Sequence, residues 1–360
     1  MFRIFSIVAF WIIGIFLISI IGSSTFPQVS NSGLGSQSET QDFNYYFSLA
    51  QWDGGNYIEI AKNGYPDSKY FAFSPLYPIF IRLIHSVFNL DFVISGLIIS
   101  IVSFLIFLFF FHKYTALIYG KKHADTTVLT FLFFPTTFFC LLVYSESLFL
   151  LLVMLSIFAM YKRNIIAYSM STALLPLARF VGIFLLLGNI FKAILNNRSK
   201  SLLVISFLSL TPFLAYLISI HIILGNVFAF SSVQSLWGRY TLDPITTIIS
   251  NVVSLISLQS FSLNNFFDLF ITLLFLYLLI TNIKRLHSNI WIFSILTILT
   301  PVSTGTLISI PRYVLPSLGA FIVIGIMLNN YPRLKIFIWA SSLALQCLFV
   351  SLFINGYWVA

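Results

Sequence analysis

Charge is what this sequence has least of: only 8% of its 360 residues are Asp, Glu, Lys or Arg, against 59% hydrophobic residues. That balance excludes an ordinary soluble globular domain. Cysteine is nearly absent. Cys140 and Cys347 both lie in apolar runs and match no metal or redox spacing, so a disulfide framework is excluded and both read as small buried hydrophobes. The five histidines (85, 112, 123, 221 and 287) are scattered, and no metal site is expected from them. No phosphate-cradling glycine loop, zinc spacing or nucleophile elbow occurs. The net charge of +9 is not gathered into a basic patch interleaved with exposed aromatics, which argues against a nucleic-acid partner. No repeated half with interrupted spans is visible, which weighs against an inverted-repeat transporter.

What the chain does have is apolar runs near the length that crosses a bilayer as a helix, and none with the two-residue alternation of a membrane barrel. The fold class is therefore all-α and polytopic. Residues 4 to 22 read as a retained first span, followed by a Ser-, Gly- and Gln-rich loop over 28–44. Ten further spans fall near 92–112, 126–143, 147–161, 164–178, 180–195, 201–224, 266–283, 289–308, 313–330 and 335–355, making eleven. Residues 75–90 carry Arg82 and His85 mid-run and two prolines, and read as a short interfacial or re-entrant helix.

A cytoplasmic N-terminus puts Arg3, Lys113, Lys121, Lys122, Lys162, Arg163, Lys192, Arg198, Lys200, Lys284, Arg285, Arg333 and Lys335 inside, 13 of the 19 basic residues. Inner excess of Lys and Arg favours that orientation. The chain then reads as one membrane domain over 1–360, with large extracytoplasmic loops at 23–91 and 225–265. Asp53, Glu59, Asp67, Glu146, Asp243, Arg179, Arg239 and Arg312 all fall on the extracytoplasmic side.

Asp53, in "WDGGNY", has an aromatic neighbour on one side and two glycines on the other. It can serve as a base toward a substrate hydroxyl, or cap a helix that begins at about residue 54. Glu146, between Ser145 and Ser147 at a short junction, is either a surface group or a functional group held in a polar cavity. Arg179 and Arg312, taken singly, can snorkel to headgroups; together they offer two guanidinium forks to a phosphate. Trp237, Arg239 and Asp243 add a polar and aromatic cluster in the second loop.

In order, "WDGGNYIEIAKNGY", "FAFSPLYPIFIRL", "FFPTTFFCLLVYSESLFLL", "SLWGRY" and "PRYVLPSLGAF" resemble the motifs of the PIG-V mannosyltransferase family over about residues 45–325. Ser74 stands where that pattern usually has a second Phe, and "LLPLARFVG" matches its Arg-containing motif only loosely. The resemblance implies a C-type glycosyltransferase (GT-C) fold with an extracytoplasmic active site. It also implies a sugar donor on a polyprenyl phosphate such as dolichyl phosphate mannose, transfer with inversion, and Asp53 as catalytic base.

The expected activity is therefore membrane transfer of a hexose, mannose being the favoured sugar, from a polyprenyl phosphate to an acceptor hydroxyl. Glu146 is expected as a second acidic contact and Arg312, Arg179 and Arg239 as the phosphate grip, with Trp52, Tyr57, Tyr77, Trp237 and Tyr313 lining the substrate. No cofactor is required beyond the lipid-linked donor. The expected partners are membrane lipids, that donor, a lipid-linked or glycan acceptor and an additional membrane subunit. The membrane would be the plasma membrane in a prokaryote or the endoplasmic reticulum in a eukaryote. The competing reading is a lipid or solute transporter or flippase that uses the same polar groups as a pathway.

Overall fold

A computed structural model describes residues 2–29, 44–195, 200–257 and 262–359. Most of the 28–44 loop, and Arg198 among the inner basic residues, lie outside the described residues. Among the described residues every regular element is helical. Five helices are long and apolar enough to cross a bilayer: Ile4–Gly22, Phe92–Tyr119, Leu203–Leu224, Leu263–Thr281 and Pro332–Ile354. The protein is an integral membrane protein. Leu76–Phe88 is a helix of 13 residues, which at 1.5 Å per residue reaches about 20 Å and falls short of a roughly 30 Å hydrocarbon core.

The chain divides into two compact units, one of Met1–Gly64, Tyr77–Leu148 and Ile324–Val359, the other mainly of Tyr65–Leu76 and Phe149–Val323. In the first unit the N-terminal helix packs along Pro332–Ile354. The Trp11 indole N–H donates to Gln346 Oε1 at 2.8 Å, and Asn355 Nδ2 donates to the Gly22 carbonyl at 2.7 Å. Phe92–Tyr119 and Lys121–Leu132 form a hairpin turned at Gly120, whose φ of 90° lies in the region glycine adopts without strain. Phe104, Phe107, Phe111 and Phe131 fill the seam between those helices.

The expected span over 126–143 differs most clearly. Residues 126–143 are not one helix: the helix ends at Leu132, Pro135 follows, and a short 3₁₀ turn over Thr137–Leu141 precedes the helix Glu146–Lys162. The intervening segment is as apolar as a span but is buried in protein, where irregular backbone is tolerated because its polar groups find protein partners. Gln346 Nε2 donates to Phe134 O at 2.7 Å, Thr137 Oγ1 to Phe131 O at 2.6 Å, and Ser147 Oγ to Cys140 O at 2.6 Å.

The second unit holds helices Ile165–Ala178, Ile183–Leu195, Thr211–Leu224, Pro244–Ile256, Leu263–Thr281 and Ser288–Val302. Their starts are capped in the usual ways. Asn164, Asp243 and Ser262 accept backbone N–H groups from Ala167, Thr246 and Asn265, and Pro212 sits in the first turn of its helix. Leu263–Thr281 and Ser288–Val302 both pack on the four-residue helix Ile310–Tyr313, and so hold a short polar element against long apolar ones.

Candidate functional site

In the first unit, the "WDGG" stretch folds as a tight turn leading into a helix. The Gly54 N–H donates to Gln51 O at 3.0 Å, closing a four-residue turn whose second residue, Trp52, lies at φ 55° and ψ −120°. These are the angles of the first central position of a type II′ turn, normally glycine. A tryptophan there costs on the order of 1–3 kcal/mol. The helix runs Asp53–Asn63, so Asp53 is its first residue and Trp52 occupies the cap without a side-chain cap bond. Gly54 is needed for packing, because a Cβ there would sit 3.0 Å from the Val143 carbonyl oxygen.

Tyr57 is buried on the same helix, with its hydroxyl 2.8 Å from Ser145 Oγ and its ring edge-on to Tyr77 at 5.1 Å. Tyr77 is 0% exposed; its hydroxyl donates to Gly96 O at 3.0 Å and lies 2.7 Å from Ser100 Oγ. Tyr77 thus supports Tyr57 from the core. Burial pushes the Tyr77 hydroxyl well above the ordinary tyrosine pKa and keeps it neutral. Glu146 opens the helix Glu146–Lys162 and is 2% exposed. A carboxylate so buried is not a surface group.

In the second unit three arginines from distant parts of the sequence converge on one ring. The guanidinium carbons of Arg179, Arg239 and Arg312 lie 5.4, 5.2 and 5.2 Å from the centroid of Tyr313. Arg179 ends the helix Ile165–Ala178, where Pro176 has already removed a donor and Gly182 lets the chain fold back onto Leu175. Arg239 comes from the turn after Gly238; its Nη1 donates to Thr304 Oγ1 at 2.9 Å and its Nη2 to Ile308 O at 2.8 Å. Arg312 is 3% exposed, in the helix Ile310–Tyr313 that follows Ser309 at φ 69°.

The loop around Arg239 is fixed by backbone pairing: Tyr240 N–H donates to Thr304 O at 3.1 Å and Leu242 N–H to Ser303 O at 3.0 Å. Gly305 permits this twice over, having φ 74° and presenting only hydrogen where a Cβ would lie 2.8 Å from the Tyr240 ring. Each guanidinium gains from the negative face of the tyrosine. Three guanidinium groups around one ring offer several N–H forks of the kind that suits an anion. Trp237 is 40% exposed and packs edge-on to Phe73 at 6.0 Å.

The structure adds one group that the sequence reading passed over. Asp268, on the helix Leu263–Thr281, is 7% exposed and acts electrostatically on Arg239. Its signal was available: a lone carboxylate inside an apolar span is a functional candidate by default.

A family profile described as Mannosyltransferase (PIG-V) matches residues 2–229, more than half of the chain. No curated protein matches it significantly. Among solved structures, the crystal structure of ArnT from Cupriavidus metallidurans bound to undecaprenyl phosphate is similar, with a TM-score of 0.51 and 14% identity over 94% of this chain. The chain spans 62% of the length of that structure. ArnT is a GT-C glycosyltransferase, and the likeness shows that the chain has this fold. The chain belongs to the PIG-V mannosyltransferase family.

Proposed function

We propose that this family member transfers a hexose, mannose being the favoured sugar, from a polyprenyl phosphate to an acceptor hydroxyl on the extracytoplasmic face, with inversion at the anomeric carbon. The observation that carries the reading is the convergence of Arg179, Arg239 and Arg312 on Tyr313. Such a cluster suits a phosphate, whose oxygens accept paired guanidinium bonds and whose charge grows as the sugar leaves.

The chemistry balances with one carboxylate and no metal. Asp53 takes the proton of the acceptor hydroxyl as that oxygen attacks the anomeric carbon from the face opposite the phosphate. The bond from the anomeric carbon to the phosphate oxygen breaks, and its electron pair stays on the phosphate. That leaving group is stable as an anion, so it needs charge stabilisation and no general acid, unlike glycoside hydrolysis with its two opposed carboxyls. Glu146 serves as the second acidic contact for the substrate, and Trp52 and Trp237 supply aromatic surface to it. The N-terminus lies in the cytoplasm, and the membrane is the plasma membrane of a prokaryote, a reading supported by the excess of Lys and Arg in the inner loops and by the short loops.

The test uses purified, detergent-solubilised protein, dolichyl [³H]mannosyl phosphate as donor and a native membrane lipid extract as acceptor. Wild type is expected to produce labelled glycolipid without any second compartment. Asp53→Asn keeps the shape and removes basicity, and should lower the maximal rate by about 10²- to 10⁴-fold. Transfer by a folded Asp53→Asn variant at the wild-type rate would refute the base assignment; donor turnover with neither mannose nor glucose would refute the donor class.

A further inference from the structure

The turn that presents Asp53 is clamped from three directions, none of which uses the Asp53 carboxylate. The Tyr144 hydroxyl donates to Gln51 O at 2.8 Å, on the same carbonyl that accepts Gly54 N–H. The Gln51 side chain donates through Nε2 to Ile354 O at 2.8 Å, and Gln51 is buried. The Trp52 indole stands edge-on to Trp358 at 5.0 Å. Next to these, Val143 N–H donates to Leu49 O at 3.2 Å, so the chain just before the turn is paired to the chain just before Tyr144.

A non-glycine residue at φ 55° and ψ −120° persists only when its surroundings over-determine it. Here they do, and the residue held immediately after the strained position is Asp53. Relaxing Trp52 into an ordinary region would rotate the peptide between it and Asp53 and re-aim the carboxylate. Buried hydrogen bonds on a carbonyl are an efficient way to prevent that, because the carbonyl oxygen moves with the same peptide plane as the Trp52 nitrogen.

We propose that Tyr144, Gln51 and Trp52 form a positioning device for Asp53, the backbone strain at Trp52 being held in place by the Tyr144 and Gln51 hydrogen bonds so that the carboxylate meets the acceptor hydroxyl. The proposal rests on Asp53 being the base. Tyr144 and Gln51 are positioning residues and act through it, which separates them from residues that merely keep the protein folded.

A double-mutant cycle between Tyr144→Phe and Asp53→Asn in the transfer assay tests this, with maximal rate and donor KM measured on variants matched for thermal melting. Tyr144→Phe alone should lower the maximal rate by about 10- to 100-fold, as expected of a misplaced catalytic group, and leave the donor KM within twofold. In the Asp53→Asn background the same change should cost less than about twofold, because there is no base left to aim. Gln51→Met, which keeps the volume and removes the Nε2 donor, should repeat the pattern and serves where Tyr144→Phe does not fold. An equal cost in both backgrounds, an unchanged rate, or a loss confined to donor KM overturns the proposal while leaving the base in place. A wild-type rate from Asp53→Asn overturns both together.

Discussion

The carboxylate turn of the first unit and the arginine cluster of the second reach the same end, a charged group in fixed orientation, by opposite means. Around Asp53 the order is in the backbone: a strained residue, two hydrogen bonds converging on the Gln51 carbonyl, and a glycine packed on another carbonyl. Around Tyr313 it is in side chains, three long cations leaning on one ring, of which Arg239 is pinned through its own guanidinium nitrogens. The difference suits the chemistry. A base must lie within hydrogen-bond reach of one proton, and small misplacement is costly. A phosphate spreads its charge over several oxygens and tolerates a grip shared among several donors.

That contrast makes the second unit the place for graded losses, with Arg312 at the steep end. Arg312 is nearly inaccessible and sits on a helix held by two long helices, whereas Arg179 and Arg239 are half-buried. Arg312→Met should reduce the maximal rate by about 10²- to 10³-fold, the cost of one preorganised donor to a developing anion. Arg312→Lys should recover only part, since a point charge cannot reproduce the fork. Donor titrations of the three single Arg→Lys variants would check the ranking. If Arg179→Lys or Arg239→Lys costs more than Arg312→Lys, burial is not what sets the grip.

Gly305→Ala probes whether backbone matters in the second unit at all. The added methyl meets the Tyr240 ring at 2.8 Å and the residue must hold φ 74°. Together these should destabilise the protein by about 1–3 kcal/mol, read as a lower melting temperature. Tyr240 and Leu242 pair with residues 303 and 304, so the shift should reach Arg239 and raise the donor KM severalfold. A variant with lower melting but unchanged donor KM would mean that the arginine cluster is indifferent to the loop under it.

Much of this was legible before the structure. The polytopic all-α class follows from composition, the short helix at 76–88 from Arg82, His85 and two prolines in one apolar run, and Arg179 and Arg312 stand out by their lone positions at apolar run ends. Two things were hidden for physical reasons. Residues 133–143 read as part of a span because a segment buried in protein is as apolar as one facing lipid, and only the hydrogen bonds from Gln346, Thr137 and Ser147 tell them apart. The strain at Trp52 was hidden because a II′ turn announces itself by glycine at its first central position, and here the glycine motif begins two residues later. The convergence of residues 179, 239 and 312 on Tyr313 depends on tertiary packing that no local pattern records.

The smallest effect belongs to Asp243, close in sequence to Arg239 but outside both charged sets. Its carboxylate caps the helix Pro244–Ile256, accepting Thr246 N–H at 2.8 Å, and the hydrogen bonding from Thr246 holds its pKa below the ordinary value of 3.8. A carboxyl depressed in the folded state adds stability that is fully present above its unfolded pKa and is lost as pH falls through the folded one. Asp243→Ala should therefore lower the melting temperature slightly at pH 7, and the gap to wild type should narrow below about pH 4 and close in stronger acid. Transfer at pH 7 should be unchanged, because the Arg239 turn is held by Thr304 and Ile308 and not by this cap. A melting gap that does not narrow at all as the pH is lowered from 7 into strong acid would show that the cap acts through something other than its charge. A raised donor KM would tie the helix to the arginine cluster, and the second unit would then depend on its backbone as the first does.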